Sequence, residues 1–128
     1  RSRSNECGVT LMNNQVGQVV GPLVLDAIRK HQHLLGLQRL DGAAPISAHI
    51  APAKARTAAL GQRESKTYED MINQGRTSFL SVPEIEGLLE GGVPIMVDGH
   101  CLGAVGVSGV KSSEDAQICK AGIAALRA

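Results

Sequence analysis

The side chains able to do chemistry are few and scattered. Four histidines occur, at His31, His33, His49 and His100. His31 and His33 form a His-x-His pair, which puts both rings on one side of an extended chain and suits a metal. No HExxH run or cysteine pair completes a coordination set, and within the polar run RKHQH the pair reads equally as solvated turn residues. His49 and His100 stand singly. A neutral imidazole at either position could ligate a metal such as haem iron, and each could also be an ordinary surface histidine. Arg39, Lys54 and Arg56 could hold carboxylates through charge-assisted hydrogen bonds, haem propionates included. The competing assignment is an Arg39 to Asp41 turn pair with solvated helix charges at Lys54 and Arg56.

Several familiar chemistries are excluded. Ser108 sits in VSG, not in the GxSxG elbow of a serine hydrolase. Gly103, Gly106 and Gly109 recur every third residue, which matches neither GxGxxG nor a phosphate loop ending in GK[ST]. Cys7, Cys101 and Cys119 are an odd set without CxxC spacing, so neither a disulfide framework nor a zinc ribbon is expected. Cys101, in an apolar strand with no nearby base, reads as an inert thiol.

The segment GGVPIMVDGHCLGAVGVSG (Gly91 to Gly109) is the most informative stretch. Glycine inside a strand forfeits packing, and it is kept where another backbone, a helix or a ligand must come close. Alternation places Leu102, Ala104, Gly106 and Ser108 on one face and Cys101, Gly103, Val105 and Val107 on the other. The first face tapers to almost nothing. It is either the seat of a closely packed helix or a shallow floor for a flat ligand such as a porphyrin.

These residues must be positioned by regular elements. Asp98-Gly99 supplies the positive φ angles of a two-residue hairpin between Pro94 to Val97 and Cys101 to Ser108. Leu23 to Asp26 and Leu34 to Arg39 read as an earlier strand pair joined through Arg29 to Gln32. Ser47 to Leu60 has helical spacing ended by Gly61, with Pro52 predicting a regular part that begins near Ala51. Thr67 with Asp70 resembles a capping box for a short helix bearing Tyr68, Met71 and Ile72, stopped by Gly75. Ser112 with Asp115 resembles another, opening a closing helix with an Ile118, Ile123 and Leu126 stripe and Arg127 at its end. Short connections and more strands than helices favour an antiparallel sheet with helices packed on it, an α+β fold.

Composition sets the outer bounds. With 128 residues, 43% of them hydrophobic, the chain suits one domain over residues 7–128, with Arg1 to Glu6 expected to be a disordered terminus. Its net charge of +1, with both signs interspersed, gives no footprint for nucleic acid or an anionic membrane. No apolar run reaches the roughly 20 residues of a membrane span, and RSRSNECG lacks a signal-peptide core, so the cytoplasm is the favoured compartment. The absence of an initial Met is expected of a mature or trimmed product. One Tyr, one Phe and no Trp leave a thin core, from which homo-oligomerisation is expected.

Three blocks carry a resemblance that spacing alone does not provide. LQRLDGA (Leu37 to Ala43), KARTA (Lys54 to Ala58) and the Gly91 to Gly109 segment match, in order and wording, the RMDGA, KAxTA and GGvPi…dGxxiGaiGvSG blocks of the GlcG/HbpS family. The likeness runs from about Leu23 to Leu126 and extends to the C-terminal domain of PduO-type adenosyltransferases. It implies a profilin-like (GlcG-like) central antiparallel sheet flanked by helices, assembled as an oligomer. It also implies haem as cofactor or ligand, in a sensing or accessory metabolic role. The family transfers no iron ligand to this chain, and the candidate ligand-binding residues are its own: Ala104 and Gly106 for the flat ring, Arg39 or Lys54 for carboxylates, and His49 or His100 for the iron. A cofactor-independent enzyme acting on a small carboxylate, with Lys54 or His49 as acid/base, is the alternative from another class, and a non-catalytic assembly protein is a third. The sequence departs from the family before the first strand, where NECGVTLMNNQVG is short and weakly helical in place of a long amphipathic helix. It departs again at AIRKHQ, which puts His31 and His33 where relatives often carry a glycine pair.

Overall fold

The computed structural model describes residues 8–11, 36–39 and 41–126. They form strands β1 (Gly8–Leu11) and β2 (Gly36–Arg39), helices α1 (Ser47–Gly61) and α2 (Lys66–Asn73), a 3-10 turn (Thr77–Ser81), strands β3 (Gly92–Val97) and β4 (His100–Ser108), and helix α3 (Ser112–Leu126). The four strands make one antiparallel sheet in the order β2-β1-β4-β3. This is the α+β fold expected from the sequence.

The β3–β4 hairpin turns where Asp-Gly predicts. Val97 pairs with His100, and Asp98 and Gly99 have φ of 50° and 77°, the two positive angles of a type I′ turn. Both strands start earlier than expected, at Gly92 and His100. Pro94 is accommodated because β3 is an edge strand. The Val107 amide donates to the Gly91 carbonyl, so the hydrogen-bonded pairs fall on the odd residues of β3, and the nitrogen of Pro94 faces outward.

Helix α1 explains the bare strand. Ala51, Ala55 and Ala58 are wholly buried on α1, with Ala104 beneath them on β4. A Cβ added to Gly106 would overlap the Ala51 carbonyl oxygen and press on Ala55, and one on Gly92 would overlap the Lys54 carbonyl. Helix backbone therefore lies directly on strand backbone, which only alanine and glycine permit. Of the two uses open to this face, the helix seat is the one realised. Ala104 and Gly106 are covered by the chain's own α1 and form no floor for a flat ligand.

Helix α1 begins at Ser47, not near Ala51. It is entered through turns in which the Ser47 amide donates to Ala44 and the His49 amide to Ile46. Pro52 sits inside it and withholds only the donor that the Ala48 carbonyl would have used.

The other face of the sheet carries the larger core. Val93, Ile95, Val105 and Val107 pack against Cys119 and Ile123 of α3. The expected Ile118 stripe is displaced: Ile118 is 39% exposed, and Ala116, Cys119 and Ile123 point inward. A register shift at Ile95/Met96 leaves Leu102 without a ladder partner, and it joins this cluster instead of continuing the Ala104 face.

Other expectations also change. The segment GVTL, expected to be weakly helical, is strand β1, in keeping with β-branched Val9 and Thr10. Gly36–Arg39 pairs with β1, while Leu23 to Asp26 lies outside the described residues. Neither capping box forms. Ser65, not Thr67, precedes α2, without a capping hydrogen bond from its side chain, and the Asp115 carboxylate is engaged elsewhere. Gly75, with φ of 112°, does follow the end of α2 as expected.

Candidate functional site

The one buried charge cluster among the described residues lies at the Ser108 end of β4. Lys54 comes from α1 and Asp115 from the first turn of α3, on opposite faces of the sheet. Lys54 Nζ donates to Asp115 Oδ2 at 3.0 Å and to the Val107 carbonyl at 3.1 Å, and both residues are 2% exposed. Gly91 makes this reach possible. Its φ is 125°, and a Cβ there would lie 2.7 Å from Nζ, so a bare residue opens the way past the start of β3. Asp115 Oδ1 accepts the Val110 amide at 3.2 Å, which satisfies the second carboxylate oxygen. The carboxylate also sits where the α3 dipole favours negative charge.

A lysine held this way is not free to clamp a ligand carboxylate or to exchange protons with a substrate. The assignment of Lys54 to ligand binding, and to acid/base work in the enzyme alternative, is therefore corrected: its ammonium is spent on Asp115. Beside it, Cys119 Sγ lies 3.1 Å from the Gly91 carbonyl, and burial pushes this thiol from 9.0 up to about 12. Cys119 is thus a neutral core group. Cys101, half-buried and 3.4 Å from the Gly103 carbonyl, is also raised by burial.

The remaining candidates divide between two ends. Helix α1 runs antiparallel to β4: Ser47 Oγ is 3.5 Å from Ser108 Oγ, Ala51 and Ala55 lie over Gly106, and Ala58 packs by Ala104. His49 is therefore near the Ser108 end, whereas His100 starts the strand, on the order of 26 Å away at strand rise. Both are exposed, and they do not share an iron. Arg39 is at the His49 end. It aligns with Gly8, which aligns with Ser108, and its guanidinium donates to the Ala43 carbonyl in the loop entering α1. The Arg39 to Asp41 pair is absent among the described residues. His31 and His33 lie outside them, and no group of three metal-ligating side chains gathers within them.

The clefts lined by described residues include two on the surface. One, of about 300 Å³, is lined by Ala53, Arg56, Pro83, Glu84 and Glu86. The other, of about 340 Å³, is lined by Val93, Pro94, Lys120, Ile123 and Ala124. Neither contains a histidine. The haem arrangement expected from the sequence therefore fits in part only: the β4 face and Lys54 are closed to it, and His49 with Arg39 remains. Sequence reasoning missed Gly91, Asp115 and Ser65 as the residues that organise this end. The signal available was a lone lysine on the alanine face of α1 and an acid in the first turn of α3.

Fold and site together define a small α+β domain whose antiparallel sheet is sandwiched between an alanine-rich helix and a mixed apolar one. The chain belongs to the HbpS-like family: the family described as "Haem degrading protein HbpS-like" matches residues 10–124. It is 60% identical over 76 residues to Protein GlcG of Escherichia coli K12, a match covering 59% of this chain and 56% of GlcG. The chain thus spans about half the length of that curated relative. Among solved structures it resembles the Klebsiella pneumoniae protein ORFY, with a TM-score of 0.76, 20% identity, and coverage of 95% of this chain and 75% of that one. It also resembles a PduOC:heme complex, with a TM-score of 0.64, 22% identity, and coverage of 93% and 75%. No helix among the described residues is long and apolar enough to cross a membrane.

Proposed function

We propose that this domain is a small-molecule-binding module that takes haem or a related tetrapyrrole at the end of the sheet where α1 begins. There the His49 imidazole faces the iron and Arg39 steadies a carboxylate. The observation that carries this reading is the pairing of ends: His49 and Arg39 are both exposed at the Ser108 end, whereas Lys54 is consumed by Asp115 and His100 stands at the far end. Membership of a family described as haem degrading, and the shared fold of a protein solved with haem, support the choice of ligand. Haem bound there supplies a redox-active iron, for a sensing or accessory metabolic role. The protein's own part is to present the His49 imidazole and a guanidinium fixed by its bond to the Ala43 carbonyl. Pairing with Asp115 removes Lys54 from the enzyme alternative and leaves His49 as its acid/base candidate, while the helix-accepting strand of the assembly alternative is filled by α1.

Haemin titration followed through the Soret band tests the proposal. A saturable shift is expected in the parent protein, altered in His49→Ala, weakened in Arg39→Gln and unchanged in His100→Ala. A parent protein that leaves the Soret band of free haemin unmoved overturns the tetrapyrrole reading. An unaltered spectrum in His49→Ala overturns the assignment of the ligand.

A further inference from the structure

The chain's two aromatic rings are not in its core. Tyr68 and Phe79 are its only Tyr and Phe, Trp is absent, and neither is among the buried core residues. They meet on the surface formed by α2 and the 3-10 turn, edge to face with centroids 5.5 Å apart. An arginine lies over each ring: Arg63 Cζ is 5.9 Å from the Tyr68 centroid and Arg76 Cζ is 4.8 Å from that of Phe79. Leu80 and Val82 follow directly, 64% and 37% exposed, and α2 itself buries no residue fully. Both rings are half-buried, and Tyr68 lies close against Gly61 at the end of α1, so they are only partly covered by the chain's own residues. Aromatic, arginine and exposed aliphatic side chains together are the composition of a protein-binding surface.

The charges indicate what such a partner must carry. Within residues 63–76 three bases, Arg63, Lys66 and Arg76, face three acids, Glu64, Glu69 and Asp70. All three acids are engaged: Asp70 with Lys66 at 2.8 Å, Glu64 with Lys120 at 3.2 Å, and Glu69 with the Glu90 amide at 3.0 Å. Arg63 and Arg76 have no carboxylate partner among the described residues. The balanced local charge gives no field for an anionic bilayer, while two ring-seated guanidiniums offer directional donors to carboxylates. We infer that the α2 and 3-10 surface docks a peptide segment of a partner protein in which acidic residues alternate with apolar ones. Its carboxylates would meet Arg63 and Arg76, and its apolar side chains would cover Phe79, Leu80 and Val82. This inference is independent of His49 and of any tetrapyrrole.

The protein reports on this surface directly, because Tyr68 is its sole tyrosine and it lacks tryptophan. A displayed library of random peptides is selected on the native protein, and enriched peptides without Tyr or Trp are titrated while the emission of Tyr68 is followed. Peptides joining Glu or Asp to apolar residues are expected to enrich, to change that emission saturably, and to lose about tenfold or more in affinity on Arg76→Gln or Leu80→Ser. Both substitutions are at exposed positions, and an unchanged thermal transition shows that they fold. Absence of enrichment, or enriched peptides that bind both variants as well as the parent, overturns the inference. So does a Tyr68 signal that responds only to protein concentration and disappears in Leu80→Ser, which assigns the surface to a second copy, or one that responds only to anionic lipid vesicles.

Discussion

Lys54 and Asp115, from helices on opposite faces of the sheet, meet 3.0 Å apart beside Gly91 at the start of β3. The contact ties α1 to α3 without passing through the apolar core. Breaking a buried ion pair from one side strands the other charge, and the cost is about 3–5 kcal/mol. Lys54→Met and Asp115→Asn are each expected to lower stability by that order in urea unfolding. Replacing both partners with apolar residues is expected to recover most of the loss, because no charge then remains buried. Equal losses in the single and double variants would show that packing of the lysine stem, not the pairing, is what matters.

Ser65 closes the outer edge of β3. Its Oγ donates to the Leu89 carbonyl and accepts the Gly92 amide at 2.9 Å, while its own amide donates to the Gly92 carbonyl at 3.0 Å. Ser65→Ala leaves the buried Gly92 donor without a partner and is expected to cost about 1–3 kcal/mol. Amide hydrogen exchange at Gly92 is expected to quicken more than at residues of β4.

The glycines divide by what surrounds them. Gly106→Val drives a side chain into the α1 backbone, so destabilisation of about 1–3 kcal/mol or more is expected. Gly122, within α3, has nothing within 4 Å of a built Cβ. Gly122→Ala is expected to stabilise by roughly 0.5–1 kcal/mol, from helix propensity alone. Thermal unfolding of the two variants reads both signs.

What the sequence disclosed follows the range of the interactions. The Asp98-Gly99 turn and the end of α1 at Gly61 are set by neighbours in the chain and were legible, whereas the start of α1 at Ser47, ahead of Pro52, was not. The bare face of β4 announced a close approach, but only the packing at Gly106 shows that α1, with Ala51 and Ala55, is what approaches. Lys54 looked like a ligand clamp because Asp115 lies 61 residues away in sequence. Ser112 with Asp115 and Thr67 with Asp70 looked like capping boxes because the spacing is local, whereas the true partners of Asp115 and Ser65 are tertiary. His49 and His100 were equivalent until the antiparallel run of α1 over β4 put them at opposite ends.

Cys119 gives the fold a dependence on alkaline pH. Burial raises its thiol from 9.0 to about 12, opposed only in part by nearby Lys54. The native state thus holds this proton more tightly than the unfolded chain. Below pH 9 the thiol is protonated in both states and its contribution to stability is whole. Between 9 and about 12 the unfolded chain ionises while the native core does not, so stability falls by up to about 1.4 kcal/mol per pH unit. Cys101 is shifted in the same direction and adds a slope of like sign. Urea unfolding from pH 8 upward is expected to show this decline, and Cys119→Ala is expected to flatten it while losing some stability at neutral pH through the small void left behind. Alkylation offers a second measurement: at pH 8 in the native state Cys101 is expected to react slowly and Cys119 only on unfolding. Rapid native labelling of Cys119, or an alkaline slope unchanged in Cys119→Ala, would show that α3 opens from the sheet far more readily than its packing against Val105 and Val107 implies.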